Sequence, residues 1–128
     1  MALMTGGVNT DPETGDVYRV SPKTSVNGDK HGSNGRPAAV VETSQRAVHT
    51  LTRTTHPEKN ARTLRSAKND AIGLTKEGYW TDVNQRPVPR SALAKKALCR
   101  YLGRLPEDET RALASFWATT LMLGRKNS

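Results

Sequence analysis

A chain of 128 residues with 20 Lys and Arg, 12 Asp and Glu and a formal net charge of +8 points to an anionic partner, nucleic acid before an anionic membrane. Hydrophobic residues make up 34% and charged residues 25%, so one domain over residues 1–128 with a modest core is expected. The single cysteine, Cys99, excludes an internal disulfide and a zinc site of the Cys₄ or Cys₂His₂ kind, and no apolar run approaches the roughly 18 residues of a membrane span. The opening "MALMTGGVNTDPETG" lacks a basic region followed by an apolar stretch, so a soluble protein in a reducing compartment is expected.

Residues 1–45 are rich in Gly, Thr, Ser, Asn, Asp and Pro. "DVYRV" alternates as a strand does, and "AAVVET" (38–43) is a β-prone run. Between them, Asn27-Gly28 and Asn34-Gly35 are strong two-residue turn signals. Two readings stand for this region, a flexible polar arm or an antiparallel strand pair.

Residues 46–90 open with "RAVHTLTRTTHPEKNARTLRSAKN". Ala47, His49, Leu51, Arg53 and Thr55 fall on one side of a strand, and Arg46, Val48, Thr50, Thr52 and Thr54 on the other. "HPEKN" supplies a turn, with Asn60 able to adopt the left-handed conformation. "ARTLRSAK" then alternates Arg62, Leu64, Ser66 and Lys68 against Ala61, Thr63, Arg65 and Ala67. A basic β-hairpin is predicted, with a helix over 58–69 as the competing reading. Residues 70–90 look like a second connection. Within it, adjacent Tyr79 and Trp80 point to opposite faces if extended, and "RPVPR" cannot be helix interior.

Residues 91–128 form the C-terminal segment. "SALAKKALCRYLG" (91–103) carries a helical pattern with Ser91 as a cap and Gly103 as a stop. Over 106–123 the helix signal is stronger. Pro106 sits at the first turn, Glu107, Asp108 and Glu109 follow, and Leu113, Phe116, Trp117, Thr120 and Leu121 share a face. Gly124 is the predicted end.

Motifs for catalysis are missing. There is no Walker loop, no GxGxxG, no HExxH and no GxSxG, and His31, His49 and His56 lack metal-ligand spacing. The expectation is a protein that is not an enzyme, with no cofactor, metal or small-molecule substrate. Cations and hydroxyls remain. Arg46, Arg62, Arg65 and Lys68, with Thr50, Thr52 and Thr54, would meet phosphates on a flat β-surface, where RNA is the better fit, and Tyr79 or Trp80 could stack a base.

The order of "QRAVHTLTRTTHPEKNARTLRSAK", "VPRSALAKKALCRYL" and "LPEDETRALASFWATTLML" resembles that of the coat proteins of single-stranded RNA bacteriophages, over roughly residues 45–123. The resemblance implies an α+β fold: an antiparallel sheet built from hairpins with a C-terminal helical segment, dimeric. It implies RNA on the inner sheet face, helices that clasp a partner subunit, and dimers that assemble into a shell, in the virion and in the host cytoplasm during assembly. Carried over by position, Arg46, Arg53, Arg62, Arg65 and Lys68 would face RNA, and Leu113, Phe116, Trp117 and Leu121 would form the dimer clasp. In that family residues 91–102 would be a strand, against the local helical pattern. The alternative is a small basic nucleic-acid-binding regulator or virion accessory protein with a C-terminal helical pair.

Overall fold

Period-two alternation becomes strand in several separate stretches of the chain. The computed structural model describes residues 8–21, 35–82 and 87–126. Its strands are β1 (Asp16–Val20), β2 (Arg36–Thr43), β3 (Ala47–Thr54), β4 (Thr63–Ser66), β5 (Gly78–Thr81), β6 (Val88–Pro89) and β7 (Cys99–Arg104). Among the described residues two 3₁₀ turns, Asp70–Ile72 and Arg90–Ala94, lie in the connections, and one helix, α1 (Glu107–Lys126), follows the last strand. The fold is α+β, one seven-stranded antiparallel sheet in the order β4-β5-β3-β2-β1-β7. β6 pairs with the start of β3, on the edge whose far end pairs with β5. The two therefore behave as halves of one interrupted strand.

Among the described residues of 1–45 an antiparallel strand pair is present: β1 pairs with β2, with Val17 opposite Ala39 and Val20 opposite Arg36. The Asn27-Gly28 turn, Asn34 and His31 lie outside the described residues.

Three expectations are corrected. The basic segment contributes two strands with the faces expected of them, and Asn60 has φ +70°, but β3 and β4 do not form a hairpin. β5 lies between them, pairing Thr52 with Thr81 on one side and Thr63 with Thr81 on the other. A strand this short needs a hydrophobic anchor, and Trp80, fully buried, supplies it from the stretch read as a mere connection.

The second correction is at 91–103. A 3₁₀ turn ends at Ala94, Lys95 is already extended, and Cys99–Arg104 is a strand. Local helix propensity of a few tenths of a kcal/mol per residue is overridden by pairing along the open edge of β1. There Tyr18 meets Tyr101 edge-on at 5.3 Å and Cys99 is fully buried. Gly103 is no helix stop. It sits at the β1–β7 register shift with φ +140°, where an added Cβ would lie 2.4 Å from Ile72 Cγ2. The C-terminal segment thus holds a single helix and no helical pair.

Third, α1 does not end at Gly124 but runs to Lys126. One glycine costs a helix about 1 kcal/mol and does not by itself terminate it.

Each sheet face has its own core. On one, Val17, Leu51, Leu74 and Trp80 pack against Leu113 and Trp117 of α1. On the other, Tyr18, Val40, Val48 and Cys99 are covered by Val88, Ala92 and Leu93 from β6 and the second 3₁₀ turn. Polar contacts fix the helix. Glu109 Oε2 accepts bonds from Ser66 Oγ and Trp80 Nε1, both at 2.7 Å, and Trp117 Nε1 donates to Glu42 Oε1 at 2.8 Å. Of the residues expected in the helix stripe, Leu113 and Trp117 are buried, Phe116 is half-buried and Leu121 is exposed.

Candidate nucleic-acid interface

Among the described residues, the helix-free face is covered over the strands that carry its core. Val88, Ala92 and Leu93 lie on β1, β2, β7 and the start of β3. The outer three strands, β4, β5 and the end of β3, keep the same face. Register and alternation define what they present there. Thr63, Thr81 and Thr52 form one row across the three strands, and Arg65, Tyr79 and Thr54 form the next. Neighbours within a row have Cβ atoms about 4.5–5.5 Å apart. The rows are two residues apart along each strand, about 7 Å.

This surface carries hydroxyls, one aromatic ring and one cation. Thr52, Thr54, Thr63 and Tyr79 are half-buried, Thr81 is buried and Arg65 is exposed. Thr54 Oγ1 accepts the His56 amide at 3.1 Å, which holds the end of β3. Arg65 pairs with Glu77 at 2.6 Å, and that bond raises its pKa from the ordinary arginine value. Both partners are largely in solvent, so a phosphate oxygen can replace the carboxylate without uncovering a buried charge. Hydroxyls that bond phosphate or sugar oxygens, an aromatic ring for stacking and an arginine for a phosphate are the groups by which sheets hold single-stranded nucleic acid.

The residues proposed from sequence separate into several places. Arg65 is on the open face. Thr50 shares that side but is buried opposite Val40, beside the covered core. Arg53 and Arg62 point to the helix side. Arg53 is 7% exposed, and Arg62 lies 4.2 Å over the Phe116 ring, pairs with Asp82 at 3.2 Å and bonds Thr120. Lys68 follows β4 and pairs with Asp70 at 3.4 Å in solvent. Arg46 is exposed in the β2–β3 turn, eight residues and therefore about 26 Å along β3 from Thr54.

Thr63, Thr81 and the Tyr79–Arg65 adjacency were not assembled from sequence, because β5 was not recognised as the central strand of the three. The adjacent pair Tyr79-Trp80 was the available signal. Trp80 faces the helix and is fully buried, which leaves Tyr79 as the ring on the open face.

Elsewhere, titratable groups serve the fold. Asp16 is buried, accepts from Tyr101 at 2.9 Å and from the Glu13 amide at 2.8 Å, and pairs with Arg104 at 3.5 Å. Burial, then the bond to Asp16, pushes the Tyr101 phenol up to about 12, and burial followed by Asp16 raises Tyr18 as well. Burial alone pushes the Cys99 thiol up to about 11. Among the described residues no group of three His, Cys, Asp or Glu side chains could hold a metal, and no helix is long and apolar enough to cross a membrane. No protein-family model and no curated protein matches the chain.

Proposed function

We propose that this chain is a self-assembling coat subunit that binds single-stranded RNA on the helix-free face of its sheet. The observation that carries the reading is the pair of rows Thr63–Thr81–Thr52 and Arg65–Tyr79–Thr54, set on a chain of net charge +8. A three-strand surface of this composition engages backbone oxygens and unstacked bases. The strand at Cys99–Arg104 also suits the coat layout and removes the helical pair on which a small regulator would depend.

Self-assembly is supported by α1. Residues 112–124 carry no charged side chain, yet Leu121 (38%), Met122 (57%) and Leu123 (39%) are exposed. A helix apolar on more sides than its own sheet covers is expected to be covered by a partner. In the coat reading the partner is a second copy.

Size-exclusion chromatography with light scattering, read at 260 and 280 nm before and after nuclease, tests this. The expected result is a particle far larger than a dimer that contains nucleic acid. A monomer or dimer free of nucleic acid would refute it. Tyr79→Ala combined with Arg65→Ala should lower RNA content or affinity while leaving the circular dichroism spectrum unchanged.

A further inference from the structure

At the end of the sheet where β1 finishes, β2 begins and β3 finishes, the loops at 54–58 and 73–76 enclose a cleft of about 540 Å³. Arg19, Arg36, Arg53 and Lys76 line it, with Glu58 as the one acid among its lining residues. The size is within the roughly 300–1,000 Å³ typical of small-ligand sites. Its sign is cationic.

Arg53 gives the cleft a fixed floor. Its Nη2 donates to the carbonyls of Lys76 at 2.9 Å and of Ser66 and Ala67 at 3.2 Å, and its Nε donates to Ser66 Oγ at 3.1 Å. The guanidinium plane is therefore locked. Gly78 allows it to lie against β5, since a Cβ there would sit 2.9 Å from Nη1. No carboxylate bonds Arg53 among the described residues. Glu109 reaches it through Ser66 Oγ and through the Trp80 indole, and burial lowers its pKa from the ordinary arginine value. Buried charges are normally paired, and this cation is held by neutral carbonyls while Nη1 bonds nothing among the described residues. Among the described residues Arg19 donates a long bond, 3.5 Å, to the Gly35 carbonyl, and Lys76 is exposed at the rim.

We propose that this cleft is a phosphate-binding site, with the clamped Arg53 as its floor and Arg19 and Lys76 as the cations that close on the anion. The ligand class is a polyphosphate or terminal phosphate ester. Two sources share that chemistry, the 5′ end of an RNA strand and a free nucleoside triphosphate. The cleft adjoins the open-face rows at Thr54 and Thr81, which line it, but includes neither Arg65 nor Tyr79, and it does not depend on shell assembly.

The test is isothermal titration of the full chain with inorganic tripolyphosphate at low salt, followed by a decaribonucleotide with and without a 5′-triphosphate and by a nucleoside triphosphate. Saturable, salt-sensitive tripolyphosphate binding is expected, and Arg19→Gln with Lys76→Gln should weaken it about tenfold or more. Lys76 is exposed and Arg19 is half-buried in β1, so the pair should leave the chain folded with at most a small shift of the thermal midpoint. They keep the proposal testable if Arg53→Met fails to fold. Preference for the 5′-triphosphorylated oligomer over its unphosphorylated form would assign the RNA end, and tighter binding of the free nucleotide would assign that source. Absence of saturable tripolyphosphate binding at millimolar concentration, or binding unchanged in the rim variant, would overturn the site. Tyr79→Ala with Arg65→Ala should leave tripolyphosphate affinity unchanged, which separates failure here from failure of the RNA face.

Discussion

Trp117→Ala probes the docking of α1 on the sheet. The Trp117 ring is 8% exposed, lies 5.7 Å from the His49 ring and donates to Glu42 at 2.8 Å. Truncating a buried Trp to Ala costs about 3–5 kcal/mol from lost transfer and the cavity left behind. Two local features hold the cost at the lower end. Glu42 is exposed, so its carboxylate rehydrates when the indole is gone. His49 Nδ1 is buried without a partner among the described residues, and water entering the new space would satisfy it, offsetting about 1 kcal/mol. The expected loss is about 3–4 kcal/mol in urea unfolding at fixed protein concentration, or about 12–16 °C in Tm for a chain of this size. Trp117→Phe keeps an aromatic ring but a smaller one and forfeits the hydrogen bond, so about 1–2 kcal/mol is expected. A loss below about 1 kcal/mol for the alanine variant would mean that α1 is not seated on β2 and β3.

Three further outcomes follow from the same contacts. Arg62→Met should reduce stability by about 1 kcal/mol in urea unfolding, because the cation over Phe116 is lost and the Asp82 pair is partly solvent-screened, and it should leave RNA affinity within twofold, as Arg62 faces the helix. Tyr101 titrates near 10 when unfolded and near 12 when folded, so its contribution is complete below pH 10 and is lost as pH rises toward 12; the urea midpoint should fall across that window, and less steeply in Tyr101→Phe. Cys99 is fully buried with its thiol pushed up to about 11, so at pH 8 a disulfide reagent should label it at the rate of opening and rapidly only in denaturant.

What was legible in the sequence was what neighbouring residues decide. The alternation in "DVYRV" becomes β1, Thr50, Thr52 and Thr54 fall on the side of β3 assigned to them, and the acid-started helix begins at Glu107. What failed was set by residues distant in the chain. Pairing of β5 between β3 and β4 depends on Trp80 reaching Glu109 and Arg53, neither of which is near it in sequence. The strand at Cys99–Arg104 depends on the free edge of β1, which is 79 residues away at the Val20–Cys99 pair and 88 at the Asp16–Arg104 pair. The candidate surface follows from the same pairing: in a β3–β4 hairpin Arg65 would adjoin β3, whereas it adjoins Tyr79 of β5, one of the two rings expected to stack a base.

The division of cations between the two faces has a consequence for binding. Arg53 and Arg62 are committed to carbonyls, to Asp82 and to the Phe116 ring, so they hold the sheet to α1 and the 73–76 loop. That leaves Arg65 as the only Lys or Arg in the two open-face rows. Affinity on that face must then come mainly from stacking on Tyr79 and hydroxyl bonds, worth about 1–3 kcal/mol per stacked base, and should be only weakly salt-dependent. The cleft has the opposite character, four Lys or Arg with one Glu, and binding there should fall steeply with salt. If both sites take the same RNA, its salt dependence should therefore be carried by Arg19 and Lys76 rather than by Tyr79. Arg19→Gln with Lys76→Gln should flatten the dependence of log Kd on log salt, whereas Tyr79→Ala should weaken binding by the same factor at every salt concentration. A slope that Tyr79→Ala changes and the rim variant does not would reverse the assignment of the two surfaces.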